Sequence, residues 1–160
     1  MADVSDLIAV ALTEDERDFV QQTLEQWALS AASTPFPFQA LGLSTWDEFV
    51  KLTGRLERAV VAGDPLTDLD WARVLFLTEV TWASNLVGSG LDFVSVTRFS
   101  DTAAVGLLRG LQRKISSRKR AKLLFPDGGR TPDAAETEDH ERWLEQLRSE
   151  QQGRQYPPGL

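Results

Sequence analysis

One segment of this chain, residues 71–87, is apolar on nearly every side when it is drawn as a helix. A helix that is apolar all round must be surrounded by other parts of the protein. The segment also carries Arg73, Glu79 and Asn85, and it is too short and too polar to span a bilayer. We therefore predict that it forms the central helix of the core, with the two preceding helices packed against it.

Three threonines, each followed three residues later by an acidic residue, mark the starts of three helices. The threonine hydroxyl caps the first turn, and a glutamate at the third helical position completes a capping box. The pairs are Thr13 with Glu16, Thr45 with Glu48, and Thr67 with Asp70. Apolar residues at helical spacing predict helices over about 14–31, 45–62 and 67–87. Gly63 and Gly88 are typical of the ends of the second and third helices.

A short β-ribbon is predicted beside these helices. Residues 93–98 combine β-branched side chains with a period-two pattern, which favours a strand. A strand needs a partner, and the apolar run at residues 7–12 is the best candidate, so we expect these two segments to pair. A fourth helix is predicted from Asp101 to about Leu124, with Ser100 as its N-cap.

The predicted fold class is therefore mainly α, with a compact four-helix core, a possible short two-stranded β-ribbon and an appended mobile C-terminal helix. The length of 160 residues suits one domain with an appendage. Proline, glycine and charge patterns divide the chain into a helical globular domain (1–125), a flexible hinge (126–132), an acidic amphipathic helix (133–151) and a disordered tail (152–160). Thr131 and Pro132 are predicted to begin the C-terminal helix.

Positive charge is concentrated in one segment of an acidic chain. The chain has a net charge of −7, whereas residues 101–125 carry seven basic residues and one acidic residue. Charge that is separated in this way steers anionic partners toward one side of a molecule. The basic residues are Arg109, Arg113, Lys114, Arg118, Lys119, Arg120 and Lys122.

Several interpretations of this basic segment are open. It could contact the phosphates of a nucleic acid, although it contains few aromatic residues and no helix-turn-helix or zinc-finger pattern. It could bind an acidic protein, or the acidic C-terminal helix of its own chain, or it could be an ordinary solvated face. In that C-terminal helix, Trp143, Leu144 and Leu147 form a narrow apolar stripe that is typical of a docking helix.

The residues available for catalysis are few. The chain has no cysteine and a single histidine, His140, which excludes thiolate chemistry and leaves too few ligands for a transition-metal site. We predict no metal and no cofactor. Glu79, with Trp82 and Asn85 nearby in the sequence, forms a candidate pocket for a small ligand or an acid–base reaction. Alternatively, Glu79 pairs with an arginine such as Arg98, or is simply exposed.

We interpret the chain as a non-enzymatic partner-binding accessory protein, of a regulatory, immunity or antitoxin-like, or assembly type. A protein partner is expected, acting through the basic helix and the acidic C-terminal helix. Non-specific nucleic-acid binding through residues 109–122 is one alternative, and a small-ligand or enzymatic pocket around Glu79 is another. The acidic N-terminus and the lack of cysteine favour the cytoplasm, with no membrane partner. The sequence leaves the oligomeric state open.

Overall fold

The structure, a computed structural model, describes residues 6–130 and 133–153 and is mainly α-helical, which confirms the predicted fold class. The chain divides into two units, Met1–Asp127 and Gly128–Leu160. The helices of the first unit are α1 (Glu14–Glu25), α2 (Trp46–Ala62), α3 (Asp68–Ala83), α4 (Phe93–Val96), α5 (Asp101–Ile115) and α6 (Arg118–Leu124). The second unit contains α7 (Ala134–Gly153). No helix in the described residues is long and apolar enough to cross a membrane.

The predicted capping pairs are confirmed at the starts of α1, α2 and α3. In the first pair, the Thr13 hydroxyl accepts a hydrogen bond from the Glu16 N–H at 3.1 Å, and the Glu16 carboxylate accepts one from the Thr13 N–H at 2.9 Å. These bonds satisfy backbone donors that the first turn of a helix leaves free. Because a cap joins residues only three positions apart, the sequence alone predicts where these helices begin.

As predicted, α3 is the central helix, and it packs against α1, α5 and α6. Trp71, Val74 and Leu77 on this helix are at most 2% exposed. At the contact with α1, the Thr78 hydroxyl donates to the Thr23 hydroxyl, 3.2 Å away inside the core, and Thr23 donates in turn to the Val20 carbonyl. In contrast to the prediction, α2 packs chiefly against α1 and is tied to α3 by an ion pair.

The predicted end of α3 is wrong, because the helix stops at Ala83 and not at Val87. Beyond this point the chain folds back onto the end of the helix. A Cβ atom on Gly88 would lie 2.1 Å from the Val80 carbonyl oxygen, so this close approach requires glycine. The turn carries Leu86 out of the core, and this side chain is 82% exposed.

The β-ribbon is present, but the predicted pairing of residues 7–12 with 93–98 is wrong. β1 (Leu7–Ile8) pairs in antiparallel orientation with β2 (Leu66–Thr67). Residues 93–96 instead form α4, in which Phe93 is fully buried while Val94 remains exposed. Phe93 is the one buried residue of this single-turn helix, so burial does not alternate along the segment and the period-two pattern was misleading.

The predicted fourth helix is interrupted, because α5 ends at Ile115 and α6 begins at Arg118. Ser116 and Ser117 between them have extended backbone, and the Ser117 hydroxyl accepts a hydrogen bond from the Arg120 N–H at 3.1 Å. Serine is among the preferred N-cap residues, because its hydroxyl accepts a hydrogen bond from a free backbone N–H of the first turn. The break redirects the chain so that α6 packs against α3.

In the second unit, α7 begins after Asp133, whose carboxylate accepts a hydrogen bond from the Glu136 N–H at 2.8 Å. The predicted N-terminal residues of this helix, Thr131 and Pro132, lie outside the described residues, as do residues 154–160 of the predicted tail. The helix extends to Gly153, so the predicted boundary is wrong by two residues: positions 152 and 153, predicted as tail, belong to the helix. The flexibility expected of the hinge remains a prediction.

Candidate interaction surface

The seven basic residues singled out in the sequence lie on two consecutive helices. Arg109, Arg113 and Lys114 are on α5, and Arg118, Lys119, Arg120 and Lys122 are on α6. The structure separates them into two groups, according to whether a carboxylate of the same unit neutralises them.

Three of the seven are paired with acidic residues of the helical core. Lys114 lies 2.6 Å from the Glu16 carboxylate and ties α5 to α1. Lys119 and Arg120 lie 2.6 and 2.8 Å from the two oxygens of Asp68 and tie α6 to α3. These three basic residues therefore have a structural role that the sequence pattern did not distinguish.

The neighbouring cations lower the pKa values of the paired carboxylates. Hydrogen bonds from Lys119 and Arg120 lower the pKa of Asp68. Burial by itself would raise the pKa of Glu16, but hydrogen bonds from Lys114 and from the Thr13 cap lower it overall. In both cases a neighbouring donor favours the ionised form of the carboxylate. The charges of these pairs are thus largely compensated within the molecule.

The other four basic residues have no carboxylate oxygen within 4.0 Å among residues 6–127. All four are exposed. Arg109 donates a hydrogen bond to the Gln112 side chain at 2.7 Å. These four residues, called the basic face below, are Arg109, Arg113, Arg118 and Lys122.

Helix geometry directs the basic face outward. Successive residues of an α-helix turn by about 100°. On α5 this places Arg109 about 100–120° and Arg113 about 140–160° around the helix from the buried Leu108 and Ile115. The two basic-face residues on α6 are one turn apart, and both are exposed. The packing that buries one side of α5 therefore turns its two arginines toward solvent.

The candidate pocket of Glu79, Trp82 and Asn85 does not form as one site. The Trp82 indole N–H donates to the Asp101 carboxylate at 3.1 Å and thereby joins the end of α3 to the start of α5. Asn85 lies beyond the end of α3, is exposed, and accepts a hydrogen bond from the Leu91 N–H. The early end of α3 separates Asn85 from Glu79, whereas Trp82 is still on α3, one turn after Glu79, with its indole bound to Asp101.

Glu79 is half-buried and accepts a hydrogen bond from the Gln112 amide at 2.7 Å. The alternative pairing of Glu79 with Arg98 is wrong, because Arg98 binds Asp15 and Asp18 on α1. Glu79 lines a groove between α3 and α6 with a volume of about 220 Å³, called the α3–α6 groove below. The structure thus places a carboxylate at a cavity, but with a different set of neighbours from the predicted one.

Three exposed leucines were missed by the sequence analysis. Leu29, Leu86 and Leu91 are 64%, 82% and 80% exposed. Their segments are held together by a 2.7 Å hydrogen bond between Ser30 and Ser89, so we call this region the leucine end. Large apolar side chains exposed on neighbouring segments are candidates for contact with another molecule. The turn-forming residues after α3 were the sequence signal that could have revealed it.

The predicted docking stripe lies on α7. Trp143 is 54% exposed and stacks with His140, with ring centroids 5.6 Å apart. Leu144 and Leu147 on the same helix are partly exposed. Docking of this stripe on a partner remains a prediction.

Comparisons of this chain with protein-family models, with curated proteins and with solved structures found no match. In the part of the chain that the structure describes, no group of three or more histidine, aspartate and glutamate side chains is placed to hold a metal ion. The geometry of the chain itself is therefore the basis for proposing a function.

Proposed function

We propose that this protein is a non-enzymatic accessory protein that binds an acidic protein surface through its basic face. The observation that carries the proposal is the presence of four outward cations, unpaired within their unit, on a chain of net charge −7. Arg109 and Arg113 are one turn apart on α5, as are Arg118 and Lys122 on α6, so the cations of each pair repel one another, and a complementary acidic surface relieves that repulsion. A regulatory, immunity or antitoxin-like, or assembly role would use such a surface.

The contrast between paired and unpaired cations supports a binding role. Lys114, Lys119 and Arg120 come from the same short segment as the basic face, yet each contacts a core carboxylate. The helices α5 and α6 are therefore already anchored without the four remaining cations. Their positive charge is not required by the contacts that hold the fold together, and it remains available to a partner.

The leucine end favours a protein partner over a nucleic acid, because apolar contact is typical of protein interfaces. The leucine end follows the end of α3. The basic face is not confined to the opposite end of that helix: Gln112, next to Arg113, binds Glu79 late in α3, while Arg120 binds Asp68 at its start. A protein partner that covers both surfaces would combine ion pairs with apolar contacts.

The scarcity of catalytic groups supports a role in binding. The chain has no cysteine, and its single histidine lies on α7 in a separate unit from the helical core. A cysteine-free chain also suits the reducing cytoplasm, where we propose that it acts. Within this proposal the protein changes the state or location of its partner and performs no reaction of its own.

The proposal is tested with two charge-matched double variants. Arg113→Gln/Arg118→Gln removes two charges from the basic face, and Lys51→Gln/Arg58→Gln removes two exposed charges from α2. Each tagged protein is purified from its native cells with and without nuclease treatment, and the retained protein is identified and then titrated with the purified chain. We expect a stoichiometric partner with an acidic surface, bound by the wild type and the α2 variant and at least about tenfold more weakly by the basic-face variant.

Three outcomes contradict the proposal: no retained protein, equal loss of binding in both variants, or a partner that nuclease removes. In the last case, binding to DNA should weaken with salt with a log–log slope of about −3.6 for four phosphate contacts. That result would favour the alternative function, non-specific nucleic-acid binding through residues 109–122.

A further inference from the structure

The α3–α6 groove is a mostly apolar cavity. Ala72 and Leu75 of α3 line it and are 6% and 8% exposed. Phe76 and Phe125 meet edge to face along it, with ring centroids 5.2 Å apart. Its volume of about 220 Å³ corresponds to about seven waters at about 30 Å³ each in the liquid. A small organic molecule of hexyl or phenyl size fits this space.

The carboxylate of Glu79 opens into this apolar groove without a cation beside it. Its one hydrogen bond to the described residues comes from the neutral Gln112 amide, and no lysine or arginine nitrogen of residues 6–127 lies within 4.0 Å. A half-buried carboxylate in apolar surroundings is stabilised by a cation that brings its own hydrogen-bond donors.

The other half-buried or buried carboxylates of the first unit have different neighbours from those of Glu79. Four of them bind lysine or arginine side chains: Glu16, Asp18, Asp68 and Asp70. Glu25 and Glu57 lie close enough that the Glu25 carboxylate adds to the effect of burial in raising the pKa of Glu57. Among these residues, Glu79 differs in lining an apolar groove.

The single arginine in the wall of the groove does not neutralise Glu79. Arg120 donates to the Asp68 carboxylate and to the Ile115 carbonyl, each at 2.8 Å. Its charge is therefore compensated by Asp68, and its position is fixed by both bonds. The electrostatic character of the groove is set chiefly by Glu79.

We propose that the α3–α6 groove binds a small apolar primary amine, with the ammonium group at the Glu79 carboxylate and the carbon chain against Leu75 and Phe76. An ammonium group has three donors and can reach a carboxylate oxygen that Gln112 leaves free. The apolar walls then remove the carbon chain from water. This small-ligand site is independent of the partner-binding role proposed above.

The test compares n-hexylamine with n-hexanol, which have the same chain but differ in charge. Each is titrated into the purified full chain at pH 7 and followed by amide chemical shifts, since the amine is protonated there as a lysine side chain is. We expect the amine to bind at least about tenfold more tightly than the alcohol and to shift amides of residues 72–79 and 116–125.

Two variants test separately how the charge and the cavity contribute to binding. Glu79→Gln keeps an acceptor for Gln112 but removes the charge, and it should reduce amine binding about tenfold and leave alcohol binding unchanged. Ala121→Leu, at an exposed α6 position that lines the groove, should block both ligands. Asp92→Asn, which removes an exposed charge elsewhere, should bind as the wild type does.

Equal binding of amine and alcohol, no binding of either, or unchanged amine binding in Glu79→Gln would overturn the proposal.

Discussion

Gly110 determines how closely α5 can approach the start of α1. A Cβ atom at this position would lie 2.6 Å from a carboxylate oxygen of Glu16. Lys114 and the Thr13 N–H both bind the other oxygen of that carboxylate, so displacing the group strains those bonds. By contrast, a Cβ atom on Gly106, one turn earlier on the same helix, would meet nothing within 4 Å. The lack of a side chain at Gly110 therefore serves the packing of two helices.

Replacing these two glycines by alanine should have opposite consequences. Gly106→Ala should raise the free energy of unfolding by about 0.5–1 kcal/mol, because alanine favours the helix. Gly110→Ala gains the same helix propensity but displaces Glu16, and we expect a net loss of about 1 kcal/mol. Chemical denaturation of both variants measures the difference. Equal stabilisation by the two substitutions would show that Glu16 can move away from the added methyl group without a loss of stability.

At the scale of elements, Asp70 connects α2 to α3. Its two oxygens accept hydrogen bonds from Arg55 at 2.9 and 3.0 Å, and one of them also accepts a bond from Arg73 at 3.1 Å. Burial alone would raise the pKa of Asp70, but these arginines lower it overall. Because the folded state has the lower pKa, this pair stabilises the fold above the ordinary aspartate pKa and loses its effect as pH falls.

Asp70→Asn should therefore reduce both stability and its dependence on pH. We expect the free energy of unfolding at pH 7 to fall by about 2 kcal/mol, since Arg55 remains half exposed and can be hydrated. Between pH 5 and pH 2 the wild type should lose stability more steeply than the variant. Denaturation midpoints across this range provide the measurement, with the exposed Asp92→Asn as control. An unchanged pH slope in Asp70→Asn would contradict the assignment.

At the same scale, local and distant interactions differ in how well they can be predicted. The starts of α1, α2 and α3 follow from threonine caps, in which both partners are three residues apart. The end of α3 and the break between α5 and α6 follow from how the chain packs afterwards. Gly88 and Ser117 were visible in the sequence, but their effects depend on the contacts that the folded chain makes around them.

At the scale of the whole molecule, the leucine end is a surface that the fold does not need. Leu86→Ser/Leu91→Ser should change the free energy of unfolding by no more than about 0.5 kcal/mol per site, because both side chains are at least 80% exposed. Leu77→Ala, at a fully buried position, should cost about 2–5 kcal/mol. Thermal and chemical unfolding distinguish the two cases. A large loss in the double serine variant would mean that these leucines pack in the core.

The mainly α class, the central position of α3, the starts of α1, α2, α3 and α5 and the location of the basic segment could all be predicted from the sequence. These features depend on periodicity, capping and charge among residues that are close in the chain. The pairing of β1 with β2 and the neutralisation of particular basic residues depend instead on contacts between distant parts of the folded chain. Lys114 and Glu16, for example, are 98 positions apart. Such partners are chosen by the packing of whole helices, and the same packing places Glu79 at a groove and leaves the basic face without acidic partners in its own unit.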